Sequence, residues 1–597
     1  MTDRLVFTIT LGLRSPFLFR GLDGGVLGVD AAQLRDERNR PIIPADQMRG
    51  VFREALGDLA AVGAGITTPD IAALFGDPSQ KEDDANSSND PNRGAIVFSD
   101  LTAEAALASS GETTRIEIDD NTGAVKDGQL LVLELVAPFG EVVAFTGTVV
   151  VFRPRQQRKP IEDLLRKALG LMSAIGAFKS PGFGEVVPDR SCVKFKSETS
   201  LALRPSRRSW PDDMKLRVRF DRPVLVDAER IADNAFLGRS IIPGGVFKGA
   251  LADRLLRAGL KPGEGALGTA LAALAISHAF PESDTPGQPW GLPLPLSLVA
   301  ISTDDGLCYG DALGVPANRG AMIKGEPARF LGDWKDAWYG GAHQALERPR
   351  GEEPPGLSRT HTRIDPDTGT AKDEALFTFI ARSVVKADGS PRTWLLDIDL
   401  GRVADREKAG QLITVLDEDG LDQIGKTGAH ASFEWVPDQP RPEPRPIDGE
   451  QNRFAVVLTT PALMLDPMAL CDAAGRWIRD AEAAYRSYWQ EALPGATLHN
   501  FYATQRFTGG YLARRRRLYG DDRYFPFLLT EAGSVFEIET RDWATLTALC
   551  RHGLPVPTIG GTVPSWRNCP YMPENGYGRI TADHLSQADL RKVVQHV

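Results

Sequence analysis

At 597 residues and a formal charge of −10, the chain is too long for one hydrophobic core and too acidic overall to bind a polyanion over its whole surface. Its 42% apolar and 25% charged residues are an ordinary globular balance, and five cysteines without a CxxC pair argue against a zinc ribbon or disulfide framework. "MTDRLVFTITLGLRSPF" alternates like a strand instead of reading as a signal peptide, and no apolar run reaches the ~18 residues that span a bilayer, so the expected home is the cytoplasm.

In chain order, the strand "LVFTITL" leads through a Gly-rich segment to "RPIIPADQMRGVFREALGDLAAV". There Met48, Val51, Phe52, Leu56 and Leu59 recur at helical spacing after Pro44, with Asp46 the expected N-cap. "GDPSQKEDDANSSNDPNRG" is a polar break. Then come the loop "RIEIDDNTGAVKDGQL", an apolar strand "LLVLELVAPF", and a helix "IEDLLRKALGLMSAIGAF". Past a soft boundary at "RPSRRSWPDD" the order repeats. "LRVRFDRPVLV" is a strand, "RSIIPGGVFKGALADRLL" a helix opened by Pro243, "RIDPDTGTAKDEAL" the same loop again, "LFTFIARSVV" a strand and "EKAGQLITVLDED" a helix. The stiff linker "VPDQPRPEPRPIDGEQN" precedes a last region with strands "FAVVLTTPALML", "SVFEIETR" and "GLPVPTI" and a helix "LCDAAGRWIRDAEAAYRSYWQEAL". Three domains are therefore expected, at 1–205, 215–435 and 453–597. The fold class is α+β, with tandem ferredoxin-like sheets and β-hairpin insertions.

The pairing of "IIPADQMRG" and "IIPGGVFKG" with the Gly-rich loop "IGAFKSPGFGEV" resembles the RAMP superfamily of CRISPR effector proteins. The first region is similar to the backbone subunit of type III complexes. Residues 215–597 look like the type III-D subunit that caps the 5′ handle of the guide RNA, through "LPLPLSL", "IGKTGAHASF", "LLTEAGSVFEIE" and "NGYGRI". The resemblance implies a fusion of the two that binds guide RNA and cleaves bound target RNA. Its implied partners are guide and target RNA, other RAMP subunits and a large polymerase/cyclase-like subunit, without a membrane. Ala45 departs from the glycine usual after IIP, and "GKTGAHASF" is a degenerate Gly-rich loop.

The resemblance places the cleaving carboxylate at Asp30, with Asp36 and Asp23 as rivals. It implies a divalent ion, Mg2+ or Mn2+, held by that residue to activate the target's own 2′-hydroxyl. In the Gly-rich loop, Gly176, Gly182 and Gly184 admit close backbone approach to a phosphate, Lys179 adds charge, and Phe183 either stacks on a base or packs on the sheet. Arg49 and Lys248 stand in the first turn of their helices, where anions are favoured. Arg115 and Lys126, with Arg363 and Lys372 in the second copy, are candidate contacts from the hairpin that backbone subunits lay across RNA. Near the C-terminus, aromatics interleave with Arg506, Arg514, Arg515, Arg516 and Arg517, the chemistry of single-stranded RNA binding. Two competing functions are a non-catalytic RNA scaffold and a guide-processing endoribonuclease using His361 or His430 as a general base.

Overall fold

A computed structural model describes residues 2–21, 28–76, 94–107, 109–119, 122–227, 229–313, 315, 320–364, 371–437, 443–447, 449–470, 480–510, 526–583 and 588–596. Apolar packing falls into three main clusters, one built from residues between Leu5 and Val193, one between Met214 and Ala431, and one between Phe454 and Ala582. They are called units 1, 2 and 3 below.

In unit 1, β1 (Asp3–Arg14) buries Leu5, Phe7, Ile9, Leu11 and Leu13, the alternate residues of one face. Then come β2 (Ile42–Ile43), α1 (Ala45–Ala61), α2 (Thr68–Phe75), β3 (Ile96–Phe98), β4 (Leu101–Ala103), β5 (Gly111–Ile118), β6 (Val125–Leu135), β7 (Val142–Arg153), α3 (Arg158–Gly170), β8 (Glu185–Val186) and β9 (Cys192–Ser200). The main sheet runs β2-β4-β7-β1-β8, with β3 also on β7 and β9 also on β1. Met48, Phe52, Leu56 and Leu59 turn one stripe of α1 into the core, as their spacing predicts. Pro44, and not Asp46, occupies the N-cap, and Asp46 lies in the first turn.

Unit 2 repeats this plan with β10 (Asp213–Phe220), β11 (Glu229–Ala232), β12 (Ala235–Leu237), α4 (Gly244–Arg257), α5 (Gly265–Ala273), β13 (Ala275–Ile276), β14 (Gly356–Ile364), β15 (Ala371–Arg382), β16 (Trp394–Asp399), α6 (Arg406–Thr414), β17 (Leu421–Ile424) and β18 (Ala429–Val436). Its main sheet runs β13-β16-β10-β18-β17. In both copies the strand after the repeated loop is an arm of a separate hairpin, β5–β6 or β14–β15, while the partner of the first strand is a later segment, β7 or β16. The helix expected over "IEDLLRKALGLMSAIGAF" stops at Gly170, because the residues beyond it form the Gly-rich loop.

Unit 3 contains β19 (Arg453–Leu458), β20 (Ala462–Leu465), α7 (Ala481–Ala492), β21 (Thr497–Tyr502), β22 (Gln505–Thr508), β23 (Phe527–Thr530), β24 (Val535–Glu539), α8 (Trp543–His552) and β25 (Ile580–Thr581). Its main sheet runs β21-β24-β19-β25. "GLPVPTI" forms no strand, and the place beside β19 goes to Ile580–Thr581 instead. The polar break at 77–93, the linker residues 438–442, Asp23, and residues 471–479 of the expected helix lie outside the described residues.

Side chains join the units. Arg4 of β1 binds Asp422 of β17 at 2.8 Å, Arg222 donates to the Phe98 carbonyl at 2.7 Å, and Glu37 accepts from the Val384 amide at 2.8 Å. Between units 2 and 3, His552 Nδ1 lies 2.6 Å from Asp399 Oδ2.

Candidate nucleic-acid interface

The Gly-rich loop of unit 1 is held by its own amides. Ala177 N–H donates to the Leu18 carbonyl, Gly184 N–H to Pro16, Ile175 N–H to Gly184, Phe183 N–H to Phe178 and Gly182 N–H to Lys179. These donors are spent within the fold, contrary to the expectation that the loop's amides cradle a phosphate. Glycine is required because Gly176, Gly182 and Gly184 all have positive φ. In addition, a Cβ on Gly184 would overlap the Ile175 carbonyl, and one on Gly176 would stand 2.8 Å from that of Leu18. Phe183 is only 6% exposed and packs with Leu18, Ala31 and Leu133, so its ring is core and unavailable to a base.

What the loop presents outward is Phe178, a non-glycine residue at φ +58°. The Arg20 guanidinium lies 4.9 Å and that of Arg115 5.4 Å from its ring centroid. Lys179, the next residue, is exposed. Arg20, Arg115 and Lys179 have no hydrogen-bonded or ion-paired partner among the described residues. This sets them apart from the basic stretches picked out by composition. Arg155 and Arg158 face Glu198, Lys159 pairs with Asp163, Arg204 with Glu418 and Asp419, Arg208 with Asp417, and Arg219 with Glu434. Neither Arg20 nor Phe178 stands out in the sequence. The only signal was a second aromatic inside "GAFKSPGFG", and its accessibility follows from a left-handed backbone that no residue type announces.

Asp30 borders the same apolar patch, at the base of the hairpin. Its carboxylate Oδ2 accepts from the Val132 amide at 2.7 Å, and its own amide donates to the Val132 carbonyl at 2.8 Å. The residue is exposed, so the second carboxylate oxygen faces outward. Asp36 is instead consumed by its loop, accepting from the amides of Arg38 and Arg40 and from the Arg40 guanidinium. Among the described residues no three His, Cys, Asp or Glu side chains gather to hold a metal ion. The donor set therefore fits a divalent ion shared between one Asp30 oxygen, water and an RNA phosphate, not a cage made by protein alone.

Arg49 and Lys248 are corrected by the structure. Arg49 donates to the Phe75 carbonyl at the end of α2, and Lys248 to Ala272 near the end of α5 at 2.9 Å. Each cation thus satisfies the C-terminal carbonyls of the next helix and is turned away from any ligand. Burial pulls the Lys248 ammonium down to about 8, against a smaller opposing pull from Glu574. Lys126 is exposed on the hairpin. Arg506 is paired with Glu531 at 2.5 Å. Arg514, Arg515, Arg516 and Arg517, and the side chains of Arg363 and Lys372, lie outside the described residues.

His361 and His430 are both engaged where units 1 and 2 meet. His361 Nδ1 is 3.2 Å from Asp46, and its hydrogen bond holds that carboxyl below the usual range. His430 Nδ1 is 2.8 Å from Asp422. Burial pushes the Asp422 carboxyl up, but the hydrogen bonds from His430 and Arg4 outweigh it and hold it at about 2. A cleft of about 1380 Å³ opens along this joint, lined by Arg35, Arg38 and Arg222 together with Glu37, Asp100 and Glu134.

Residues 11–187 match the family model of the RAMP superfamily, and this part of the chain is a RAMP domain. No curated protein matches the chain. Among solved structures, the chain is similar to one from the type III-B Cmr-β complex bound to cognate target RNA. That match has 15% identity over 33% of this chain and 60% of the other, under two thirds of its length, with a TM-score of 0.22. Another, from the same complex with target RNA and AMPPnP, has 13% identity over 54% of this chain and 86% of the other, with a TM-score of 0.28.

Proposed function

We propose that the chain is a subunit of a type III, III-D-like, CRISPR RNA-guided effector complex, a backbone unit fused to a handle-capping unit and working in the cytoplasm. Its partners are guide and target RNA, further RAMP subunits and a large polymerase/cyclase-like subunit. The observation that carries the reading is the cluster of Arg20, Arg115, Lys179 and Phe178, three cations without partners around one accessible ring. Aromatic rings stack on unpaired bases and guanidinium groups meet phosphates, each stacked base being worth roughly 1–3 kcal/mol. No helix among the described residues is long and apolar enough to cross a membrane.

Target cleavage is assigned to unit 1. Asp30 keeps one carboxylate oxygen for the reaction while the other fixes the hairpin to its loop. The target's 2′-oxygen bonds to the adjacent phosphorus, the bond from phosphorus to the 5′-oxygen breaks, and the leaving 5′-oxygen takes up a proton. Mg2+ or Mn2+ beside Asp30 would supply acidification of the 2′-hydroxyl. The test is to isolate the complex, sequence its RNA, and assay Asp30→Asn. Asparagine keeps an acceptor for the Val132 amide but loses the charge, so bound RNA with one cut abolished supports cleavage. Unchanged cutting would leave the scaffold function, and absence of any bound RNA would remove both. The guide-processing alternative gains no support from His361 or His430, both of which face carboxylates at the joint.

A further inference from the structure

The hairpin strand β14 of unit 2 lies on the helix start of unit 1. His361 faces Asp46 in the first turn of α1, and Arg359 reaches Asp100 at 2.7 Å, the carboxylate that also accepts from the Ala45 amide at α1's first residue. The start of an IIP helix is thus a receptor for a hairpin edge strand. Strand β5 is the corresponding edge in unit 1. Setting Thr122 against Thr368 in the twin loops places Arg115 where His361 stands and Leu133 where Phe379 stands. The backbone confirms this register independently, because Leu133 makes a parallel bridge to Ala31 just as Phe379 does to Phe236. Strand β5 pairs with β6 alone, in a two-stranded sheet.

We propose that the β5 edge receives the IIP-type helix start of a separate protein chain, whose acidic first turn meets Arg115 as Asp46 meets His361. The inference rests on the reading that this chain works in an assembly of RAMP units. A second copy of the chain is not the occupant, because its Asp46 and Asp100 are already engaged by its own His361 and Arg359. The docking face is the one that carries Arg115, not the apolar strip of Ile116 and Leu130 on the opposite side. Leu376, the counterpart of Leu130, remains 57% exposed in the hairpin that is docked, close to the 59% of Leu130 itself.

The test places a photo-crosslinking benzophenone residue at Thr113, the counterpart of Arg359, in the full chain within the complex isolated from its own cells. The expected product joins Thr113 to a peptide of another protein that contains an IIP-type helix start with an acidic residue in its first turn. Arg115→Glu should lower the yield of that product about tenfold. Crosslinks to RNA alone, to the Asp46 segment of a second copy distinguished by isotope mixing, or to nothing overturn the proposal. An Arg20→Glu complex separates this proposal from the RNA reading. If it keeps its RNA the RNA reading is overturned, while the Thr113 product decides the docking proposal.

Discussion

Units 1 and 2 solve one problem at the hairpin base in two ways. In unit 2 the Thr378 amide donates to the Asn234 carbonyl at 2.7 Å, and Ala235 follows. In unit 1 the corresponding Val132 amide donates to the side chain of Asp30, the counterpart of Ala235, also at 2.7 Å. A carboxylate has replaced a backbone carbonyl, and because it has a second oxygen, unit 1 gains an outward-facing acceptor that unit 2 lacks. The helix starts differ in the opposite sense. Pro44 and Pro243 have nearly the same backbone angles, but Gly244 is pressed against the Ile276 and Asn575 carbonyls, whereas Ala45 has its amide on Asp100. Unit 2 keeps its glycine because unit 3 packs there, and unit 1 is released from it. The departures from repeat symmetry thus fall where one copy carries a neighbour and the other faces outward.

The largest expected effect is at Gly244. Gly244→Ala puts a methyl into two carbonyls and should cost about 3 kcal/mol or more, while Ala45→Gly should cost no more than about 1 kcal/mol. Thermal unfolding of the two variants checks this, and equal losses would break the comparison.

Acidification should separate the two joints. His278 lies between the IIP turn and unit 3, accepting from the Gly244 amide at 3.3 Å and packing on Tyr577, and burial, aided by Arg579 and Arg239, pulls it down to about 3. Its folded value lies below its unfolded value of about 6.5, so stability is complete above pH ~6.5 and falls as pH drops towards 3, by roughly 1.4 kcal/mol per pH unit. Asp422, held at about 2, contributes stability that is complete above pH ~4 and lost as pH falls through 2. Hydrogen exchange at pH 5 should therefore show residues 244–249 and 576–578 loosened before residues 421–431.

Lys248→Met leaves the Ala272 carbonyl without its partner, and Arg49→Met does the same to Phe75, each costing about 1–3 kcal/mol. RNA affinity should be unchanged in both. By contrast, Phe178→Ala should weaken RNA binding about tenfold with little change in unfolding temperature, and filter binding at fixed salt reads the difference. The smallest effect is Ala235→Asp. Because Thr378 already has its acceptor, the new carboxylate should leave stability within about 0.5 kcal/mol and create no new cut in target RNA.

The sequence by itself determined the duplication, the stripe of α1 and the alternation of β1, since hydrophobic period and repeated motifs are local properties. The Gly-rich loop was legible for the same reason, as positive φ and close packing leave glycine little substitute. Local pattern also misled. Strands "LLVLELVAPF" and "LFTFIARSVV" read as sheet members, but an apolar period of two is the same in a hairpin arm and a sheet. Arg49 and Lys248 read as ligands because a cation's partner depends on what another helix brings near it. Only the tertiary structure decided which arginines are neutralised, that Phe183 is core and Phe178 is not, and that Asp30 divides its two oxygens between fold and surface. Charge pairing and burial are set by residues hundreds of positions apart, and no window along the chain contains both partners.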